Sequence, residues 1–411
     1  MKSLPLMLLA LLCLCLTSCD RTMNDPQPAE EPENIAFSDS LKAFQANSVL
    51  PGFAVTIFKN GRVDFQEAFG HADVVNEVKY TNHTIQPIGS VSKTFIGVAL
   101  MKAIEQEHFT LGTPINDILP FPVINPHQPE QQILIKHLVT HTAGFEDSDE
   151  NYELEYFIRE GENALLPSSQ AILDFGVTIS NGRTLGDYMQ AVFTEDGELY
   201  DADNFLEEGA GVEYEYSNIC ASLAAYLIEL KSGDAYADFV KTHIFNPLGM
   251  TATGYDRREL AEDRLAKLYI DQEFPLPEYS HSSYPDGFVN TTNDALSKYM
   301  LEMMLGARGA GTLLNRDNYR TLFERQSPEG IEENGEVHAV FFFFFYGRIA
   351  HNGSDPAVVA FIFFDPLTNS GYQIMVNVND GGLGEPLGVN GQISFGQFFD
   401  LLGRVEAFEQ E

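Results

Sequence analysis

The chain has 411 residues, 44% apolar and 20% charged, the balance of a folded globular protein and not of a disordered one. Its 60 acidic and 24 basic residues leave a formal net charge of −36, a field that repels nucleic acid and anionic lipid. Nucleic-acid binding and attachment through a basic surface are therefore not expected, while the chemistry is left open.

In chain order, Lys2 precedes an apolar run from Leu4 to Leu16 and then Thr17-Ser18-Cys19. A basic start, a short apolar core and small residues at the cut predict a secretory signal over residues 1–18, too short to span a bilayer as a mature helix. Leu16-Thr17-Ser18-Cys19 resembles a bacterial lipobox, which would make Cys19 a lipidated first residue and place the protein in the cell envelope. The other reading is an ordinary signal with a chance cysteine. Cleavage also removes Cys13 and Cys15, so no intrachain disulfide is expected and Cys220 reads as a buried apolar filler. Residues 19–36, rich in Pro, Glu and Asp, predict a flexible tether.

A folded domain is predicted over residues 37–405. It opens with a short helix through Leu41 and Phe44. Phe53 to Phe58 and Val63 to Phe69, joined across Asn60-Gly61, predict a β-hairpin. From Ser90 the apolar period becomes helical, through Val91, Phe95, Val98 and Ala99. The middle of the chain reads as helices and loops, with the acidic stretch Glu146 to Glu162 predicted as an exposed flap. Strand signals return at Val337 to Tyr346, Val358 to Phe364 and Tyr372 to Asn377. The first contains five consecutive phenylalanines, Phe341 to Phe345, expected to form a fully buried central strand. Phe398 to Phe408 predicts a closing helix. The expected fold is α/β of the α+β kind. Its antiparallel β-sheet, drawn from residues 37–89 and 285–405, is flanked by helices, and a mainly helical lobe of roughly 90–284 is inserted between the halves.

Ser90-Val91-Ser92-Lys93 is the sharpest chemical signal. Three positions along a helix bring two side chains to one face, about 5–6 Å apart at Cβ. A lysine there can take the serine proton if burial lowers its pKa. The motif is common by chance, and its plain alternative is a serine at a helix start beside a solvated lysine. Two further motifs follow in order, Tyr216-Ser217-Asn218 and His351-Asn352-Gly353. The only literal Lys-Ser-Gly, Lys231-Ser232-Gly233, ends a helix, where Gly233 reads as a C-cap.

These three motifs resemble the S-x-x-K, Y-x-N and K-T-G set of penicillin-recognising serine enzymes, and more closely the class C β-lactamases with their D-alanyl-D-alanine carboxypeptidase and esterase relatives. Ile135 to Gly144 is similar to that family's HLLTHTSG segment, and Phe245 to Met250 to its PLGM segment. The resemblance implies Ser90 as nucleophile, Lys93 as its base or as a partner holding Tyr216 ionised, and Tyr216 as proton relay. Asn218 would hold the substrate carbonyl, and His351 would assist Tyr216 and the far end of the substrate. Gly353 would let the strand approach, and the backbone N–H groups of Ser90 and Ser354 would form an oxyanion hole. Which of Lys93 and Tyr216 is the base is left open. No metal or organic cofactor is implied. The partner implied is a small-molecule or peptide substrate, with no nucleic acid, membrane contact only through Cys19, and no indication of oligomeric state.

The chain departs from the family in having His351 where it has lysine, and Ala210-Gly211 where Pro-Gly is frequent. His137 and His141, four apart, read as structural hydrogen-bonding groups and not as a metal pair, since the Glu of H-E-x-x-H is missing. Tyr214 is a rival phenol, but only Tyr216 stands two before an Asn. Asp380 to Gly384 reads as a loop, and the lack of G-x-S-x-G disfavours an α/β-hydrolase. The expectation is a serine hydrolase acting on a peptide amide or ester, such as a D-amino-acid cell-wall peptide. The alternatives are a promiscuous esterase or β-lactamase and, from another class, a non-hydrolytic wall-binding or sensor lipoprotein.

Overall fold

The Asn60-Gly61 turn forms as its sequence demands. Both residues have positive φ, 55° and 71°, the geometry that matches the twist of a two-residue hairpin. It joins Gly52–Lys59 to Arg62–Asp73, and this hairpin anchors one end of an eight-stranded antiparallel sheet. The strand order is Val337–His338, Phe343–Phe345, Arg348–Asp355, Val358–Asp365, Ser370–Val376, Gly52–Lys59, Arg62–Asp73, Val78–Lys79. Early and late strands meet where Phe53 pairs with Val376 and Phe58 with Gly371. The computed structural model describes residues 31–148, 155–161, 166–174, 177–271, 274–331, 337–345, 347–379 and 392–411. The signal segment, Cys19, the tether to residue 30 and the Asp380 to Gly384 loop lie outside the described residues.

Alternation along the strands sends apolar side chains to both faces, so each face carries a core. On one face Phe53, Val55, Ile374 and Val376 meet the terminal helices Pro32–Ala46 and Gln392–Gln410. There Phe37 and Phe408 stack with ring centroids 4.1 Å apart, which ties the two ends of the domain together. The first helix begins at Pro32, inside the span read as tether, because Phe37, Leu41 and Phe44 present an i, i+4, i+7 stripe to the sheet. On the other face Ile349, Ala360, Ile362, Phe364 and Met375 meet a helical lobe that includes Ser92–Glu105, Asn218–Ser232 and Asn293–Ala307. The fold is the expected antiparallel sheet flanked by helices. Among the described residues no helix is long and apolar enough to cross a membrane.

Two expectations fail. The phenylalanine run is not one buried central strand. Val337–His338 and Phe343–Phe345 pair as a hairpin near the sheet edge, closed by the Ala339 N–H donating to the Phe342 carbonyl at 2.8 Å. Phe341 sits in the turn at φ 53°, unusual for a bulky residue. The turn is held from outside. The Phe341 N–H donates to the Val139 carbonyl at 3.1 Å, and Val340 packs its carbonyl so close to Gly97 that a β-carbon there would lie 2.5 Å away. Tertiary contacts thus bury Phe341 and Phe342 behind the helix that follows Ser90, whereas Phe345 is exposed.

The acidic stretch is not an exposed flap in its described parts. Glu155 is buried and Asp147 half-buried, and Tyr156–Arg159 is a buried strand paired with Tyr279–His281 and Thr178–Ser180, so that among the stretch's described carboxylates only Glu146 and Glu160, at its ends, are exposed. The carboxylates that composition assigned to solvent are partly inward-facing. Gly233, by contrast, ends Asn218–Ser232 at φ 79°, with its N–H donating to the Glu229 carbonyl at 3.0 Å, the C-cap expected of it.

Candidate active site

Two backbones in contact build the nucleophile turn. Gly89 has φ 52°, and a β-carbon on it would lie 2.9 Å from the Ser354 nitrogen. A β-carbon on Gly353 would lie 2.1 Å from the Ile88 carbonyl oxygen and 3.0 Å from the Ser90 nitrogen. Only glycine fits at either place. The strand Arg348–Asp355 therefore runs directly against the 3₁₀ turn Gly89–Val91, bringing the backbone nitrogens of Ser90 and Ser354 to one junction.

Ser90 leads into the helix Ser92–Glu105, and Lys93, one turn on, is fully buried. Its ammonium donates to Ser90 Oγ at 3.0 Å, to Asn218 Oδ1 at 2.6 Å and to the Asp286 carbonyl oxygen at 3.1 Å. Three donors thus meet three acceptors. Burial pulls the pKa of Lys93 down, but Tyr216, Asp286 and Asp147 outweigh it and hold the pKa above the ordinary lysine value. The lowered pKa that would let Lys93 act as a resting base is therefore not what its surroundings produce.

Tyr216 and Asn218 flank the start of the helix Asn218–Ser232. The Lys93 Nζ lies 5.1 Å from the centre of the Tyr216 ring, whose other neighbour is the stacked imidazole of His141, 4.5 Å away. His141 Nδ1 accepts from the Ser217 N–H at 3.2 Å, and His137 Nδ1 accepts from the Leu134 N–H at 3.1 Å, so both histidines hold backbone. Ser217 caps the helix through the Cys220 N–H at 3.1 Å. Asp147 completes the cap. Its carboxylate accepts from the Ser217 hydroxyl at 2.7 Å and from the Asn218 N–H at 2.5 Å, placing negative charge at the positive helix end. Cys220 is wholly buried and its thiol pKa is pushed up by burial, as fits a filler.

A cavity of about 450 Å³ joins these groups. Ser90, Tyr214, Tyr216, Asn218, Asn352 and Ser354 line one part of it, and Glu155, Tyr156, Asp286, Gly287 and Asp355 line the rest. His351 does not line it. The side chain is 3% exposed on the lobe side of the strand, its Nδ1 is 2.6 Å from the Asn352 carbonyl, and burial drives its pKa down to about 3. That neutral, enclosed ring departs from the expectation that His351 meets the far end of the substrate.

The carboxylate wall was not anticipated. Asp355 accepts from the Tyr156 hydroxyl at 2.5 Å, and burial pushes its pKa up to about 7. Burial likewise raises Asp286 to about 6 against the opposing pull of Lys93, while the Ser222 hydroxyl donates to its Oδ2 at 2.8 Å. Burial, then the neighbouring Asp286, hold Glu155 well above the carboxylate range. Glu155, His281 and Asp286 offer ligand atoms within 4.8 Å of one another, a spacing that could hold a metal ion. The Ser283 hydroxyl already bonds Glu155 and lies 2.9 Å from His281 Nδ1, and the Lys93 ammonium supplies positive charge beside Asp286. The one sequence signal for Asp355 was strand alternation, which puts His351, Gly353 and Asp355 on one face; Asp286 and Glu155 had none.

This fold and this cluster define a protein of the serine β-lactamase and penicillin-binding type. The family described as Beta-lactamase matches residues 37–387, and the chain belongs to it. It is 24% identical over 341 residues to Protein flp of Staphylococcus aureus (strain COL), covering 80% of this chain and 60% of flp. The chain thus spans less than two thirds of that relative's length. Among solved structures, it is similar to an octameric penicillin-binding protein homologue from Pyrococcus abyssi, with a TM-score of 0.65 at 21% identity over 87% of this chain and 78% of the other. It is also similar to a penicillin binding protein from Bacillus halodurans, with a TM-score of 0.62 at 20% identity over 85% of this chain and 95% of the other.

Proposed function

We propose that this chain hydrolyses a peptide amide or ester, a D-amino-acid cell-wall peptide being the type case, through an acyl-enzyme on Ser90. The observation that carries the reading is the Lys93 ammonium bonded at once to Ser90 Oγ and Asn218 Oδ1, two residues that line one cavity. With its pKa raised and its three donors engaged, Lys93 stabilises anions beside it, and Tyr216 is the group left to take the Ser90 proton. Ser90 Oγ bonds to the substrate carbonyl carbon as its proton is relayed through the Tyr216 hydroxyl to the leaving group. The oxyanion is met by the backbone N–H groups of Ser90 and Ser354, and the leaving group departs with the proton. Water then attacks the acyl-enzyme along the same route in reverse.

Two neighbouring readings rank lower. A β-lactamase must bind the carboxylate of its substrate, whereas this cavity has a carboxylate wall and a neutral, buried His351. A promiscuous esterase differs only in the breadth of leaving groups accepted. The envelope location and the lipid at Cys19 belong to the proposal, supported by the N-terminal sequence.

Intact-protein mass spectrometry after a fluorophosphonate or a penicillin, beside Ser90→Ala, tests this. An adduct that requires Ser90 is expected, and its decay after penicillin would separate a hydrolase from a trapped sensor. No adduct with either reagent would sink the reading in favour of a binding module.

A further inference from the structure

The part of the cavity beyond Ser90 is lined by carboxylates that the acyl-transfer chemistry does not use. We infer that this wall is a subsite for a protonated amine carried on the acyl group of the substrate, with Asp355 Oδ2 as its direct acceptor. The inference rests on the acyl-enzyme reading of Ser90 and names the substrate class of that site.

Position comes first. Asp355 stands two residues beyond Gly353 on the same strand and the same face, about 7 Å along from the backbone that touches Ser90. Tyr156 occupies Asp355 Oδ1, but among the described residues Oδ2 has no hydrogen-bond partner although the residue is only 4% exposed and lines the cavity. His281 Nε2, in a side chain 2% exposed, is also without a partner among them. The two orphan atoms flank Gly287. A β-carbon there would lie 3.5 Å from Asp355 Oδ2 and 3.3 Å from His281 Nε2, with nothing closer, so the glycine leaves space in front of both.

Asp355 Oδ2 is an acceptor in the ionised carboxylate, the form that an ammonium beside it favours, and His281 Nε2 is an acceptor in the neutral ring. The Ser283 hydroxyl donates to Glu155, so its oxygen is free to accept from His281 Nδ1, which puts the lone pair of the neutral ring on Nε2. A buried acceptor with no donor is destabilising, and an ammonium, with three donors, satisfies two of them together. Charge points the same way. Among the described residues no lysine or arginine lines the cavity and none pairs with Glu155, Asp286 or Asp355. Lys93 spends its donors on Ser90, Asn218 and a backbone carbonyl. Three carboxyl groups thus share one neighbouring cation that does not bond any of them directly, and a second positive charge is the complement this wall lacks.

The test compares kcat/KM of the purified full chain on ethyl esters of D-alanine, β-alanine and 4-aminobutyrate with the N-acetylated form of each. At least one amino ester is expected to exceed its acetylated partner by about tenfold or more, the worth of one hydrogen bond to a charged group. Asp355→Asn should bring that ratio to within about threefold of unity. Gly287→Ala, which fills the space and keeps every carboxylate, should do the same. Fluorophosphonate labelling of Ser90 in each variant reports an intact nucleophile. A ratio near unity in the wild type, or one unchanged in Asp355→Asn, overturns the amine subsite while labelling still upholds Ser90. Loss of both labelling and turnover in the wild type overturns the Ser90 reading and the subsite with it.

Discussion

Lys93 and Asn218, 125 positions apart, meet at 2.6 Å, and that contact locks the start of the helix after Ser90 to the start of the helix after Tyr216. The ammonium works as a buried clamp between the two motifs as well as a charge beside the nucleophile. Lys93→Met should lower kcat/KM on any ester by about 10²–10³, the scale for losing a preorganised electrostatic group. It should also lower stability by about 3 kcal/mol, because Asp286 and Asp147 lose their nearest cation. Steady-state kinetics and urea unfolding check the two parts separately.

Gly353 is the point at which sheet and nucleophile turn touch. Its missing β-carbon would lie 2.1 Å from the Ile88 carbonyl oxygen, and backbone cannot swing aside as a flexible side chain can. Gly353→Ala should cost about 1–3 kcal/mol of stability by overpacking and reduce Ser90 labelling at least about a hundredfold by separating the two oxyanion nitrogens. A labelling rate within a few-fold of the wild type would show that this junction does not set the reactive geometry.

Asp147 acts on Asn218 through the helix end and not through the substrate. Asp147→Ala removes acceptors from the Ser217 hydroxyl and the Asn218 N–H and should cost about 1–2 kcal/mol, the worth of a helix cap. Thermal unfolding measures it. Asp147→Asn, which keeps one acceptor oxygen, should recover about half.

Asp355 gives stability a pH dependence. In the folded protein burial holds its proton up to about pH 7, while an unfolded aspartate releases it near pH 4. Between those values the folded state binds the extra proton, so the contribution of this group falls as pH rises through the window and is lowest above it. Asp355→Asn removes that dependence and lets Tyr156 keep an acceptor. It should raise stability at pH 8 by about 1–3 kcal/mol and change little at pH 4, readable from melts at the two values. Equal shifts at both would mean that the Asp355 carboxyl titrates as an exposed one does.

Local signals were legible wherever a few neighbouring residues decide the geometry. The Asn60-Gly61 turn, the C-cap at Gly233 and the sequence from Ser90 to Lys93 each depend on backbone preference and helical spacing within a short window. Strand signals at both ends of the chain, with helical ones between, also pointed correctly to an antiparallel sheet flanked by helices. The phenylalanine run misled because local β propensity cannot reveal that Val139 and Gly97 will receive a turn at Val340 and Phe341.

The sequence by itself determined the family, the sheet shared by the chain's two ends, and a serine and a lysine one turn apart, because each follows from pattern and spacing. Tertiary structure alone decided that Lys93 keeps its proton and that His351 is enclosed and neutral. It alone turned Glu155, Asp286 and Asp355 from an acidic surface composition into an inward wall. The reason is physical: a charge takes its pKa and its task from the dielectric and the partners around it, and those partners come from segments that only folding brings together.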